Sequence, residues 1–515
     1  MKRRKFIQTT GLSLPVLLNG FSLRAMSKSS IFSAINNETD RVLVLIQLNG
    51  GNDGLAMITP IDQYDKLANA RGNILIPQSS LLNLGFNNGL HPTMTGVKSL
   101  FDDGKMTVVQ SVGYPNQNRS HFRSTDIWTS GSPANQVWTT GWLGRYFEGD
   151  HPAYPDGYPS TDYPDPFALT LGSIVSETCQ GTAANFSLAI NDPFNLNPLA
   201  SGGNDTPPNT PYGEELTFLR QSIEQTNAYG DVITTAANNG ANVATYPDDN
   251  RLAAQLKNVA LLIAGGLKTK VYVVSLGGFD THAAQVGDTP AVGTHAQLLQ
   301  QLSEAVSAFQ QDLKEQGLEK RVLAMTFSEF GRRIRSNNSA GTDHGDAAPL
   351  MLFGSCVAPG FIGDNPEIPN NPEVGDAVAM QYDFRNVYGS VFMDWFNVSE
   401  DDVKNLLFAN FQKIPMIEGC NTTSTFEPTP ELAVDMFPNP FAEQVNVRFT
   451  CGSEFVRLSL FNGMGQELDL LVDKSLRAGE HTLTYDGSRL PAGTYYFHLR
   501  LEGGRQKTKL LVKGK

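Results

Sequence analysis

From Arg41 onward the chain alternates between short, almost unbroken apolar runs and longer segments of helical period. Val42-Leu-Val-Leu-Ile-Gln-Leu48 has strand length and no polar face, the pattern of a strand covered on both sides. Met106-Thr-Val-Val-Gln-Ser111, Val271-Tyr-Val-Val-Ser-Leu276 and Val322-Leu-Ala-Met-Thr-Phe327 predict three more strands. Between them, Ala253 to Ala264 has the 3.6-residue spacing of a helix, and Leu298, Leu299, Leu302, Val306, Phe309 and Leu313 mark one face of a longer one. Strand-helix alternation predicts a three-layer α/β/α domain with a mainly parallel central sheet. The Tyr-, Pro-, Asp- and Gly-rich stretch from Asp150 to Pro211 interrupts the pattern and is expected to cap the active face.

The period changes to 2 near the C-terminus. Val445-Phe449, Val456-Phe461, Thr482-Tyr485, Thr494-Leu499 and Thr508-Val512 are short alternating segments separated by turn formers such as Asn462-Gly463 and Asp486-Gly487. They predict a small β-sandwich over 434–515, joined to a body at 41–415 by a Thr- and Pro-rich linker over 416–433. At the other end, Met1-Lys2-Arg3-Arg4-Lys5-Phe6 precedes an apolar stretch from Thr9 to Phe21, the order of a signal peptide, which we place over 1–34. That stretch is too short for a membrane span, so no transmembrane segment is expected in the mature protein.

Composition narrows the partners. With 40% apolar and 18% charged residues the 515-residue chain falls outside the composition of disorder. A net charge of -13 lacks the basic surface that nucleic acid demands, but leaves a small anionic substrate open, because a bound cation would dominate its local field. Four cysteines without a C-x-x-C pair provide at most one or two staples.

Ligands of open parallel sheets bind beyond the carboxyl ends of the strands, and the polar clusters of this chain fall there. Asp53 follows the first strand, Asp280 and His282 follow the third, Glu329 follows the fourth, and His344 lies in Gly341-Thr-Asp-His-Gly345 just after. Carboxylates and imidazoles together are ligands for a divalent ion, whether Zn, Mg, Mn or Ca. Taken singly, each has an ordinary alternative, such as a turn, a cap or a surface site.

Four motifs carry a resemblance: Asn49-Gly-Gly-Asn-Asp53, Gly277-Gly-Phe-Asp-Thr-His282, Ser328-Glu-Phe-Gly-Arg-Arg333 and Gly341-Thr-Asp-His-Gly345. Together they resemble the Domain of Unknown Function 1501 family, similar in fold to the alkaline phosphatase and sulfatase clan. The resemblance implies a metal-dependent hydrolase of phosphate or related esters, with one ion on Asp280, His282 and His344 and a second on Asp53 and Glu329. A nucleophile is expected after the second strand at a helix start, where Ser120 fits, with Ser124 and Thr125 as rivals and a plain N-cap as its alternative role. Ser328-Glu329 departs from the clan's usual Asp-His pair and weakens the second ion, and no cysteine has the sulfatase context. A non-catalytic surface protein with a structural or vestigial metal site is the alternative.

The ends resemble addresses. The Arg-Arg-x-Phe pattern resembles a twin-arginine signal, which implies export through the twin-arginine translocase. Phe437-Pro-Asn-Pro-Phe441, Leu460-Phe-Asn-Gly-Met-Gly465, Leu490-Pro-Ala-Gly-Thr-Tyr-Tyr496 and Lys509-Leu-Leu-Val-Lys513 resemble the type A sorting domain of the type IX secretion system. The protein is thus expected to pass through the periplasm to the cell surface or the medium.

Overall fold

In the computed structural model, residues 40–196, 208, 210–418, 434–451, 454–462, 467–477, 479–501 and 506–514 are described. The signal peptide and nearly all of the linker lie outside them.

The apolar runs form the centre of one mixed sheet. β1 (Val42–Asn49), β2 (Met106–Gly113), β3 (Ala168–Leu171), β4 (Ser187–Ile190), β5 (Val271–Gly277), β6 (Val322–Phe327), β9 (Ala348–Phe353) and β10 (Gly360–Ile362) take the order β10-β2-β9-β6-β1-β5-β3-β4. β1 pairs in parallel with both β5 and β6, and β5, β3 and β4 continue in parallel. Only β9 runs against its neighbours β2 and β6. The intervening labels β7 (Arg332–Ser336) and β8 (Thr342–His344) belong to a separate antiparallel hairpin.

Successive side chains of β1 enter opposite layers, which is why the run has to be apolar throughout. Val42, Val44, Ile46 and Leu48 pack into one core with α1 (Thr95–Asp102), α4 (Pro211–Asn239), α5 (Arg251–Ala264) and α6 (Thr294–Glu315). Leu43 and Leu45 pack into the other with α2 (His121–Ser130), α3 (Trp142–Asp150) and α7 (Phe384–Phe396). The three-layer α/β/α architecture is the expected one. Asp383 caps α7 by accepting from the Arg385 N–H, and Trp128 and Trp142 stack on Phe384 and Tyr388 in the core.

The expected cap is a correction. The described part of the Asp150–Pro211 insertion supplies edge strands β3 and β4. Its aromatic residues Tyr154, Phe167 and Phe186 are buried in the second core. Residues Asp162 to Phe167 lie with Lys268, Lys270 and Arg321, which precede β5 and β6, so this part of the insertion lies at the amino ends of the strands and not over the active face. Burying so many rings outweighs leaving them over a solvated edge.

Beyond the linker, β11 (Val434–Phe437), β12 (Gln444–Cys451) and β15 (Gly479–Asp486) form one antiparallel sheet. β13 (Glu454–Asn462), β14 (Glu467–Leu476), β16 (Gly493–Leu501) and β17 (Gln506–Lys513) form another, and the two share a core that includes Val447, Phe449, Leu458, Phe497 and Leu499. Cys356 is disulfide-bonded, and Cys179 and Cys451 are buried thiols. Among the described residues no helix is long and apolar enough to cross a membrane.

Candidate metal centre

Three strand ends and one hairpin converge at the carboxyl edge of the sheet. β5 ends at Gly277 and the chain turns through Gly278-Phe279 into Asp280 and His282. In the hairpin, Arg332 stands opposite His344. After β2 the chain reaches His121, the first residue of α2. Close approach of these loops depends on Gly50, whose φ is +120° and where a Cβ would fall 2.4 Å from the Asp280 nitrogen.

The imidazoles show what the cluster is for. His121 Nδ1 lies 2.8 Å from Glu329 Oε1, His282 Nδ1 lies 3.0 Å from Asp343 Oδ1, and His344 Nδ1 lies 2.7 Å from the Arg119 carbonyl. Carboxylates and carbonyls accept, so each Nδ1 is the donor, and the neutral form of each ring leaves Nε2 as its lone pair. All three Nε2 atoms lie beside the Asp280 carboxylate. His282 Nε2 is 2.8 Å from His344 Nε2, each is 3.2 Å from Asp280 Oδ1, and His121 Nε2 is 3.4 Å from Asp280 Oδ2. His121 Nε2 is buried without a hydrogen bond. One donor atom each from His121, Asp280 and His344 lie within 4.8 Å of one another.

Two lone pairs 2.8 Å apart repel unless a proton or a cation lies between them. Burial holds His344 below its ordinary pKa, against the raising influence of the Arg119 carbonyl and Asp280, which disfavours the proton. A divalent ion held by His121, His282 and His344 would satisfy all three nitrogens. The orphaned nitrogen and the donor set therefore fit the metal that the resemblance implies, and an N-rich set favours Zn or a similar transition ion over Mg or Ca.

Arg332 fixes the acid. Its guanidinium is buried and donates to the carbonyls of Gly50, Gly51, Phe279 and Thr342 and, at 2.9 Å, to Asp280 Oδ1. Burial pushes the Asp280 carboxyl up, but the hydrogen bond and the charge of Arg332 outweigh it and bring the group down to about 2. Asp280 is therefore ionised at any pH at which the fold operates, and its side chain is 47% exposed, open to a ligand.

Asp53 and Glu329, expected at a second ion, are both engaged within the protein. Asp53 is fully buried and its carboxylate takes both oxygens to Arg71 Nη1, at 2.9 and 2.8 Å, with a further bond from Gln285 and one from the Ala56 N–H that makes it a helix cap. Burial works against the charge, yet Arg71, His295 and Gln285 together hold its carboxyl below the usual range. Glu329 is equally buried; its Oε1 accepts from the Gly50 N–H at 2.9 Å as well as from His121. Both carboxylates spend their lone pairs inside the protein, and the guanidiniums of Arg71 and Arg332 supply the charge that a second ion would have brought. Glu329 acts instead by orienting His121.

Asp280, His282 and His344 thus come together as expected, whereas Asp53 and Glu329 do not join them. Sequence reasoning missed His121. The signal was an imidazole in the first turn of the helix after β2, next to Ser120. Ser120 itself is exposed at the N-cap position of α2, and its side chain makes no capping bond. Ser124 is buried, donates to the Glu329 carbonyl and lies 2.8 Å from the Tyr114 hydroxyl, which removes it as a rival.

Residues 77–381, including the whole cluster, match the family model described as protein of unknown function DUF1501. The chain belongs to this family. Residues 435–513 match the secretion system C-terminal sorting domain, which points to secretion to the cell surface or the extracellular space. A search of curated proteins gave no match. Among solved structures, the chain is similar to an alkaline phosphatase superfamily protein from Vibrio parahaemolyticus, at 9% identity and a TM-score of 0.30, covering 91% of this chain and 82% of that one. It is also similar to a protein from a study of glycosaminoglycan metabolism by Bacteroides thetaiotaomicron, at 9% identity and a TM-score of 0.34 over 87% and 90%. A third is the C-terminal periplasmic domain of EcEptC from Escherichia coli, at 10% identity and a TM-score of 0.34 over 75% and 91%. Likenesses this remote carry no chemistry over, which leaves the site to speak for itself.

Proposed function

We propose that this DUF1501 protein is an exported hydrolase of phosphate or related esters that works with a single divalent ion held by His121, Asp280, His282 and His344. The reading rests on three imidazoles whose Nδ1 protons are each taken by an acceptor while their Nε2 atoms face Asp280. When bound, such an ion polarises an ester oxygen and stabilises charge on the leaving group. The protein's own part is to hold the donors in place: Arg332 keeps Asp280 ionised, and Glu329, Asp343 and the Arg119 carbonyl fix the ring orientations. Ser120 is the hydroxyl proposed for attack. It is exposed, unused as a cap, and adjacent to His121 at a helix start where backbone N–H groups favour an anion.

One observation supports the second reading, a surface protein whose ion is structural. Among the described residues nothing accepts a hydrogen bond from Ser120, so no base activates it. Metal analysis of the purified protein, with assays on aryl phosphates, phosphodiesters and sulfate esters, separates the two. The hydrolase reading expects turnover that is lost in Ser120→Ala with the ion retained and lost in Asp280→Ala together with the ion. A bound ion without turnover on any ester supports the structural reading, and absence of any bound ion overturns both.

For export, the proposed route is the twin-arginine translocase followed by the type IX machinery, with residues 41–415 as the cargo and 434–515 as its address.

A further inference from the structure

At the amino edge of the sheet, about 23 Å from the metal centre by the length of a seven-residue strand, lies a cavity of about 360 Å³. Val42 opens β1 there, Lys270 precedes β5 and Phe167 precedes β3. Its volume is that of a small-molecule site.

The walls are aromatic. Tyr146 and Phe147 come from α3, Phe396 from the end of α7, and Tyr163 and Phe167 from the insertion, where His151 bridges the last two rings at 4.6 and 4.2 Å between centroids. Among the lining residues the bases Arg41, Lys268, Lys270 and Arg321 stand against the acids Asp40, Asp150, Asp162 and Asp165. Arg321 binds Asp40 at 2.6 Å, Lys268 faces the Asp165 carboxylate, and Arg41 donates to the carbonyls of Asp394 and Trp395. A cavity that neutralises its own ions selects neither an anion nor a cation.

Asp150 remains. It is the last residue of α3, where the helix dipole opposes a negative charge, and its Oδ1 is buried without a hydrogen-bond partner. Burial, aided by Asp402, pushes its carboxyl up to about 7, so near neutral pH a substantial fraction is protonated and able both to donate and to accept. Unsatisfied buried polar atoms are costly, and the Asp150 carboxyl as a whole lines the cavity, within its wall, where a ligand hydroxyl pairs with it.

Aromatic faces joined to a donor-acceptor carboxyl, with no net charge to satisfy, match a ring that has C–H faces and hydroxyl edges. We propose that this cavity binds a neutral saccharide residue, with its C–H face on Tyr163 and Phe167 and a hydroxyl on Asp150. Being remote from the metal centre, it serves as an anchoring site and does not depend on the reaction proposed there.

The test is saturation-transfer NMR on the full mature chain with the methyl glycosides of glucose, galactose, mannose and N-acetylglucosamine, followed by titration of any that respond. At least one glycoside is expected to bind, with affinity reduced tenfold or more in Tyr163→Ala and in Asp150→Ala and unchanged in His282→Ala. Tyr163 is 44% exposed, so its removal leaves the core intact, which circular dichroism checks. Failure of all four glycosides to bind overturns the proposal, as does undiminished binding in Tyr163→Ala. Tighter binding of tetramethylammonium or inorganic phosphate than of every sugar also overturns it.

Discussion

Asp53 and Asp280 follow neighbouring strands, β1 and β5, at the same edge of the sheet, yet they have become different things. Asp53 is fully buried and its charge is answered by Arg71, a cation built into the chain. Asp280 is 47% exposed, and beside its one fixed cation, Arg332, stand three imidazole nitrogens with their lone pairs turned inward. The chain closes one acid with its own guanidinium and leaves the other for an ion from outside. Burial and the partner available decide between structure and binding; the residue type at the strand end does not.

The largest expected effect tests the closed side. Arg71→Ala strands a buried carboxylate and should cost roughly 3 to 5 kcal/mol of stability in denaturant unfolding, because breaking a buried pair leaves an uncompensated charge. A loss no greater than that of an ordinary surface substitution would show that Asp53 is not held as described. Arg71→Ala with Asp53→Asn together should recover much of the loss.

Acid should reveal the same side through its histidines. His295 lies 2.9 Å from Asn52 Oδ1, and burial pushes it down to about 4, with Asp53 opposing; burial and the charge of His295 push His91 down to about 3. In the unfolded chain both take up protons below about pH 6.5, while in the fold they do so only nearer 4 and 3. Their contribution is therefore fully present above pH 6.5 and lost as the pH falls toward 3, by roughly 3 kcal/mol from His295 alone. Replacing His295 by Gln should flatten that part of the unfolding midpoint against pH.

Smaller effects belong to the open side. Glu329→Gln leaves the donors in place but weakens the grip on His121, and metal affinity measured by competition with a chelating dye should fall about 10- to 100-fold. Asp343→Asn, at a partly exposed acid, should fall at the lower end of that range or below. Equal losses from both would mean that burial of the supporting acid does not matter.

The sheet was legible because its central strands are apolar on both faces: β1, β2, β5 and β6 lie where the runs predict them, and α6 spans the predicted Leu298–Leu313 face. The sorting domain was legible because its strands alternate with period 2 between turn formers. What stayed hidden depends on distant partners. Nothing near Asp53 in sequence announces Arg71 or Gln285, and nothing near Glu329 announces the Gly50 N–H, so a caged carboxylate and a free one look alike along the chain. His121 was passed over because its neighbour Ser120 fitted the helix start. The aromatic part of the insertion, up to Phe167, was expected at the wrong edge because ring density shows that a segment will be buried, but not against what.

The most direct test of the central claim is the stoichiometry of zinc bound by the dialysed full-length chain, measured by elemental analysis beside titration calorimetry. One ion per chain is expected in the wild type, still one in Asp53→Asn, and none retained in Asp280→Ala. A second tight ion, loss of the ion in Asp53→Asn, or undiminished binding in Asp280→Ala would contradict it.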